Sequence, residues 1–271
     1  MIDSEVVSER RRARGPRRGL YLLPHLITTA GIFFGFWAIV QAPTRPDLAA
    51  VGIILAMVCD ALDGRVARLA KSTSRFGVEY DSIADTVSFA VAPSILAFSA
   101  GNLQALGRPG WIMAFLFTVC AALRLARFNV SAGRFRGRFE GLPSPAAAGV
   151  VATTQLCGSF LRENGVIWNI PESVLAAGVA LLALLMVSPI PYRSFKEIDF
   201  RHSYGTLVLV VVTLVLVGIQ WDVSLFAVGL VYTISGPVEW IWRWRTKRPL
   251  EEISAIDSPA AAEREPDRVI S

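Results

Sequence analysis

Four aspartates fall within 26 residues of this chain, in a stretch that is otherwise dominated by apolar side chains. They are Asp60, Asp63, Asp81 and Asp85. A carboxylate inside a bilayer costs about 2.5–3.5 kcal/mol even on lenient insertion scales, so four converging carboxylates need a compensating positive charge. Carboxylate oxygens suit Mg²⁺ or Mn²⁺, whereas zinc prefers Cys and His. The four acids therefore indicate a divalent-metal site, and they are numerous enough for two metal ions.

The first two acids share one face of a predicted helix with small residues. At about 100° per residue, that face carries Asp60, Asp63, Gly64 and Ala67. Gly64 and Ala67 leave room for a bulky anionic group to approach the backbone, and Arg68 at the edge of the face can contact that group. This face therefore indicates space for an anionic substrate beside the metal ligands.

The other two acids, Asp81 and Asp85, lie one turn apart on a second predicted helix. The polar stretch 71–80, which contains Gly77, predicts a cytoplasmic turn that brings the two helices together antiparallel. Two other interpretations of the acids stay open. One is a structural salt-bridge cluster with neighbouring arginines, and the other is the ion pathway of a cation transporter. The arginines in question are Arg65, Arg68 and Arg75.

The composition of the chain indicates that these acids belong to a membrane protein. The chain has 271 residues, of which 53% are hydrophobic and only 18% are charged, and this is too apolar for a soluble globule of its length. About eight segments approach the roughly 20 apolar residues that span a bilayer. They are Leu22–Val40, Ala49–Ala70, Ser82–Ala100, Trp111–Phe128, Ala146–Leu161, Val174–Ile190, Thr206–Gln220 and Val223–Trp242. We therefore predict an all-α, polytopic membrane protein.

The basic residues predict how these spans are oriented. Cytoplasmic loops are enriched in Lys and Arg, and of the 27 such residues only Arg45, Arg108 and Arg162 fall in loops on the opposite side. Both termini and the aspartates are therefore expected on the cytoplasmic side of the inner cell membrane. Residues 1–19 are predicted as a basic cytoplasmic tail, 20–245 as the transmembrane domain and 246–271 as a disordered cytoplasmic tail.

The complete pattern D‑x2‑D‑G‑x2‑A‑R‑x8‑G‑x3‑D‑x3‑D, which begins at Asp60 and ends at Asp85, resembles the signature of the CDP-alcohol phosphatidyltransferase family of membrane enzymes. The resemblance implies a core of six membrane helices and a homodimer. It also implies two divalent metal ions, Mg²⁺ or Mn²⁺, and transfer of a phosphatidyl group from a CDP-linked lipid to an alcohol with release of CMP. No nucleic-acid partner is expected.

Roles for individual residues follow from the same resemblance. The implied metal ligands are Asp60, Asp63, Asp81 and Asp85. Asp85 is also the implied general base, taking the proton of the attacking hydroxyl. The implied contacts with the CDP-lipid are Thr28, Gly64, Ala67, Arg68 and Gly77. One position departs from the family pattern, because His25 stands where the family segment usually has Asn.

Two later segments, 124–129 and 141–148, resemble those of membrane-embedded phosphatidylserine synthases. This resemblance makes CDP-diacylglycerol the expected donor and serine the expected acceptor. A serine carboxylate needs a cation, and the candidates are Arg124 and Arg127, with Asn129 as a nearby donor and acceptor. Glu79 is the candidate contact for the serine ammonium or for the ribose of the nucleotide. Other alcohols, such as glycerol phosphate or inositol phosphate, stay open as acceptors, because the shared signature does not select among them.

Overall fold

The computed structural model describes residues 19–69, 74–131, 138–193, 218 and 220–246. Its α-helices are α1 (Gly19–Gln41), α2 (Pro46–Leu69), α3 (Arg75–Asp85), α4 (Ala92–Ser99), α5 (Arg108–Ser131), α6 (Ser144–Glu163), α7 (Glu172–Val187) and α8 (Trp221–Thr246). A π-helical turn, Thr86–Val91, joins α3 to α4, and a 3₁₀ turn, Leu103–Leu106, precedes α5. The predicted helical membrane fold is confirmed.

Four helical stretches in the described ranges are long and apolar enough to cross a membrane. They are Leu23–Gln41, Phe76–Ser99, Arg108–Val130 and Trp221–Trp242. Helix α2 has the length of a span but carries the charged residues of the aspartate pattern, and α7 is apolar but shorter. The count of eight spans stays a prediction. The basic tail (1–19), the C-terminal tail (246–271) and the span Thr206–Gln220 lie almost entirely outside the described residues.

Helices α1 and α2 form an antiparallel hairpin whose interface is built from small residues. Gly52 on α2 is so close to α1 that a Cβ there would lie 3.0 Å from the carbonyl oxygen of Phe34. Gly31 on α1 faces the Cβ of Cys59 in the same way, at 3.5 Å. Small side chains let membrane helices approach closely, because the apolar lipid tails give the helices little hydrophobic reason to associate. This close packing fixes α1 against the helix that carries the first two aspartates.

The π-helical turn packs against α1 immediately after the last aspartate. The hydroxyl of Ser88 donates to the carbonyl of Gly31 at 3.2 Å, and a Cβ at Gly35 would collide with Ser88. The hydrophobic pattern predicts the span Ser82–Ala100 but does not distinguish a π turn from an ordinary α-helix. The π turn lets α3 and α4 continue as one helix while Ser88 turns toward α1.

The predicted turn over 71–80 is wrong from Arg75 onward, where the chain is helical. Helix α3 begins at Arg75, because the side chain of Ser74 caps it by accepting a hydrogen bond of 3.0 Å from the backbone N–H of Gly77. Gly77 therefore lies in the first turn of α3 rather than in the connection. Residues 70–73 lie outside the described ranges.

A short antiparallel pair of strands, β1 (Arg138–Glu140) and β2 (Pro191–Arg193), joins the segment before α6 to the segment after α7. Gly141 follows β1 with a φ of +77°, a conformation that glycine adopts without strain, and its N–H bonds the carbonyl of Ile190 at 2.9 Å. Helix α6 then begins directly after Pro143. The pair holds the α5–α6 connection against the end of α7.

Candidate active site

Three of the four aspartates come together where α2 and α3 meet. Asp60 and Asp63 on α2 and Asp81 on α3 each offer one carboxylate oxygen, and these three oxygens lie within 4.8 Å of one another. Asp63 is buried and the other two are half-buried. Carboxylates held this close repel one another unless a proton or cation intervenes. The all-oxygen donor set fits a hard divalent cation.

Helix α1 contributes to this cluster through a neutral side chain. The hydroxyl of Thr28 lies 2.8 Å from Oδ2 of Asp63 and 3.0 Å from the carbonyl oxygen of Pro24. Its single proton favours the carboxylate, because hydrogen bonds to a charged acceptor are the stronger kind. The sequence predicted Thr28 as a contact of the CDP-lipid, whereas its described hydrogen bond orients a candidate metal ligand.

The fourth aspartate lies near both the acidic cluster and a buried arginine. Asp85 ends α3 and interacts electrostatically with Asp60, Asp63 and Asp81 and also with Arg124 of α5. Asp85 is not among the three whose oxygens converge within 4.8 Å. The Asp85 carboxylate is half-buried and lies near the acidic cluster but outside its tightest group.

Arg124 is only 8% exposed. Its Nη1 donates to the hydroxyl of Ser144, at the start of α6, at 3.3 Å. Its Nε is buried and has no hydrogen-bond partner among the described residues. A buried N–H without a partner costs free energy, so its retention calls for an explanation such as a ligand. Arg124 thus presents a positive charge and an unused donor next to Asp85.

The other three candidates for serine binding are exposed, and two of them hydrogen-bond to neighbouring helices. Nη1 of Arg127 donates to the carbonyl of Val187 at 3.4 Å, and the amide of Asn129 donates to the hydroxyl of Ser82 at 2.9 Å. Both side chains are exposed, as is Glu79 on α3. Of the four predicted residues, the structure therefore brings Arg124 near the general-base candidate, whereas the hydrogen bonds of Arg127 and Asn129 tie α5 to α7 and α3.

The small residues of the motif lie on the same helix as the first two acids. Gly64 and Ala67 are half-buried on α2, next to the acids in sequence. The side chain of Arg68 lies outside the part of the chain that the structure describes. The predicted contacts of Gly64, Ala67 and Arg68 with the CDP-lipid stay predictions.

His25, the departure from the family pattern, packs onto the first turn of α3. A Cβ at Gly77 would lie 3.1 Å from the imidazole Cε1, so a larger residue at 77 would press on the ring. The ring also meets Phe76 edge-on, with centroids 5.6 Å apart. Beside it, the hydroxyls of Tyr80 and Thr29 are hydrogen-bonded at 2.9 Å. Gly77 thus gives His25 and its aromatic neighbours room at the edge of the site.

Comparison with known proteins assigns the class to which this fold and site belong. The sequence model of the family described as CDP-alcohol phosphatidyltransferase matches residues 21–188, a range that includes all four aspartates, Arg124 and Ser144. The chain belongs to the CDP-alcohol phosphatidyltransferase family.

Individual relatives share one name, CDP-diacylglycerol–serine O-phosphatidyltransferase. The protein of Helicobacter pylori is 38% identical over 232 residues, which cover 84% of this chain and 94% of the relative. That of Methanocaldococcus jannaschii is 37% identical, covering 70% and 82%. That of Mycobacterium tuberculosis is 32% identical, covering 73% and 71%. The similarity therefore extends across bacterial and archaeal enzymes of the same name.

Proposed function

We propose that this protein transfers the phosphatidyl group of CDP-diacylglycerol to the hydroxyl of L-serine, giving phosphatidylserine and CMP. The named relatives support this choice of donor and acceptor. The observation that carries the proposal is the position of Asp85, between three converging carboxylates and a buried arginine with an unused N–H. One side of Asp85 suits a diphosphate with its counter-ions, and the other suits an amino-acid carboxylate.

Asp60, Asp63 and Asp81 would hold two divalent metal ions, Mg²⁺ or Mn²⁺, with Asp85 as a further ligand. When bound, such ions neutralise the charge of the diphosphate and of the departing phosphate. Thr28 keeps the Asp63 carboxylate oriented toward the cluster. Gly64 and Ala67 leave the space that the diphosphate and nucleotide require, and Arg68 and Gly77 extend that contact along the substrate.

Asp85 takes the hydroxyl proton of serine as the serine oxygen forms a bond to the phosphorus that bears the diacylglycerol. The bond from that phosphorus to the bridging oxygen of CMP breaks, and CMP leaves. We propose direct transfer, because the sequence contains no His-x-Lys pair to supply a histidine nucleophile.

Arg124 would hold the serine carboxylate. Its Nε lacks a partner, and a carboxylate oxygen would satisfy that donor while the second oxygen meets an Nη hydrogen. This pairing would place the serine hydroxyl toward Asp85. Contacts of serine with Arg127, Asn129 and Glu79 stay predictions.

The location proposed for this reaction is the cytoplasmic face of the inner cell membrane, with both termini on the same side. The distribution of Lys and Arg supports it. At that face a soluble amino acid and a lipid held in the bilayer can reach one site. A homodimer, which the family resemblance implies, completes the proposal.

An acceptor assay tests the proposal. Purified protein in detergent receives Mn²⁺, CDP-diacylglycerol and radiolabelled serine, with glycerol phosphate and inositol phosphate in parallel reactions. We expect label in the lipid extract from serine alone, with CMP released in equal amount. CMP release that requires one of the other alcohols would reassign the acceptor. Cation flux into proteoliposomes without CMP formation would instead favour a transporter.

A further inference from the structure

Helix α8 contains a proline, Pro237, within its length. Proline has no N–H, so the carbonyl four residues earlier, that of Thr233, loses its helical donor. The hydroxyl of Tyr192 on β2 takes the place of that donor, with 3.0 Å between the phenol oxygen and the Thr233 carbonyl oxygen. A side chain from the strand pair thus satisfies the group that the proline leaves open.

The site around Tyr192 is shaped for its ring. Tyr192 is 0% exposed, and a Cβ at Gly236 would lie 2.8 Å from its Cε2, so only glycine at 236 admits the ring against α8. Burial, with a smaller effect from Tyr232, raises the pKa of Tyr192 to about 12. The hydroxyl therefore remains protonated, and remains a donor, at any pH used for an assay.

The carbonyl that Tyr192 bonds is next in sequence to Tyr232, a residue close to Arg124. Tyr232 precedes Thr233 on α8, and its ring lies 5.7 Å from that of Tyr192 at an interplanar angle of 47°. Tyr232 is also close enough to Arg124 for an electrostatic interaction. The hydroxyl of Ser144 accepts a hydrogen bond from Nη1 of Arg124, so Ser144 on α6 and Tyr232 on α8 both lie near the same guanidinium.

We propose that Tyr192 is a positioning residue: its hydroxyl, bonded to the carbonyl that Pro237 leaves open, holds Tyr232 beside Arg124 and thereby sets the affinity for the amino-acid acceptor. This rests on the proposed function of Arg124. A long guanidinium side chain binds a carboxylate well only if its orientation is fixed beforehand. Tyr192, Tyr232 and Pro237 all follow residue 188, where the match to the family model ends.

Tyr192→Phe removes the hydroxyl and keeps the ring. We expect the KM for serine to rise about tenfold, the effect of one lost hydrogen bond, while kcat and the KM for CDP-diacylglycerol change less than about twofold. Ser235→Ala is the matched control. It removes an exposed hydroxyl of α8 that bonds the Tyr232 carbonyl, and it leaves the Tyr192–Thr233 bond intact. We expect it to leave the serine KM unchanged.

A second variant tests the link to the proline. Pro237→Ala restores an N–H that can bond the Thr233 carbonyl, so Tyr192→Phe should cost clearly less in that background than in the native chain. Equal costs in both backgrounds would overturn the proposal. An unchanged serine KM in Tyr192→Phe would also overturn it. A fall in kcat and thermal midpoint with both KM values unaltered would do the same, because it would show that Tyr192 has a structural role alone. If the native protein does not use serine as an acceptor, the proposed function is wrong, and this result is distinct from a failure of the proposal for Tyr192.

Discussion

The hydroxyl of Thr28 on α1 lies 2.8 Å from Oδ2 of Asp63 on α2, and both side chains are buried. Helix α1 supplies none of the four aspartates, yet it orients one of them. Close packing of small residues between α1 and α2 makes this contact possible. A hydrogen bond from outside the ligand set fixes the direction of a carboxylate and tunes its affinity for metal.

Thr28→Val removes that hydrogen bond and keeps the side-chain shape. We expect metal affinity or activity to fall by about 10–100-fold, because the Asp63 carboxylate loses its orienting donor. The dependence of CMP release on Mn²⁺ concentration measures the effect. Thr28→Ser retains a hydroxyl and should stay near the native curve. Identical Mn²⁺ curves for the valine variant and the native protein would show that Thr28 has no such role.

Asp85→Asn keeps the size of the side chain but removes its ability to accept a proton. We expect kcat to fall by about 10²–10⁴-fold, the usual contribution of a general base. Asp47→Asn is the matched control. Asp47 lies at the other end of α2, where its carboxylate accepts hydrogen bonds from Gln155 and Ser159, far from the cluster in sequence. Steady-state CMP release should separate the two variants, and similar losses in both would argue against the role of Asp85.

Arg124→Gln removes the buried charge beside Asp85. We expect the KM for serine to rise by about 10–100-fold, since a charged hydrogen bond to the carboxylate is lost. The same change at Arg127 should raise the serine KM less, because Nη1 of Arg127 bonds the Val187 carbonyl. Initial rates over a range of serine concentrations compare them. A larger effect at Arg127 would move the carboxylate contact to that residue.

Gly35→Ala places a methyl group against Ser88 in the π-helical turn. We expect a loss of about 1–3 kcal/mol in the free energy of unfolding, as in other overpacked interiors. Gly178→Ala on α7 is the control, because a Cβ there meets nothing within 4 Å. Alanine favours a helix over glycine, so this control should be neutral or slightly stabilising. Thermal midpoints in detergent measure both, and equal midpoints would exclude a tight contact at Gly35.

The sequence predicted the parts of the site that follow from local spacing. Asp60 and Asp63 sit one turn apart on α2, and Asp81 lies on the next helix, as the helical period required. The predicted span Ala146–Leu161 matches α6, which begins two residues earlier at Ser144. Charge inside apolar segments was enough to indicate a cation site.

Contacts between residues far apart in the chain could not be predicted from local spacing in the sequence. The bond from Thr28 to Asp63 joins residues 35 positions apart, and that from Tyr192 to Thr233 joins residues 41 apart. The π-helical turn has the same apolar pattern as an α-helix, and three-residue strands are too short to show an alternating pattern. Pro237 and Gly236 were visible in the sequence, but only packing reveals that the ring of Tyr192 fills the space beside Gly236 and that its hydroxyl bonds the Thr233 carbonyl.

Oxygen-18 in the hydroxyl of serine tests most directly whether that hydroxyl attacks the phosphorus of the phosphatidyl group. The native protein is incubated in detergent with Mn²⁺, CDP-diacylglycerol and the labelled serine, and the lipid and nucleotide products are weighed by mass spectrometry. We predict that the native protein forms phosphatidylserine that retains the label, together with an equal amount of unlabelled CMP. We predict that Asp85→Asn forms both products more slowly than the native protein. Absence of labelled phosphatidylserine, with CMP formed only from another alcohol or not at all, would contradict the account.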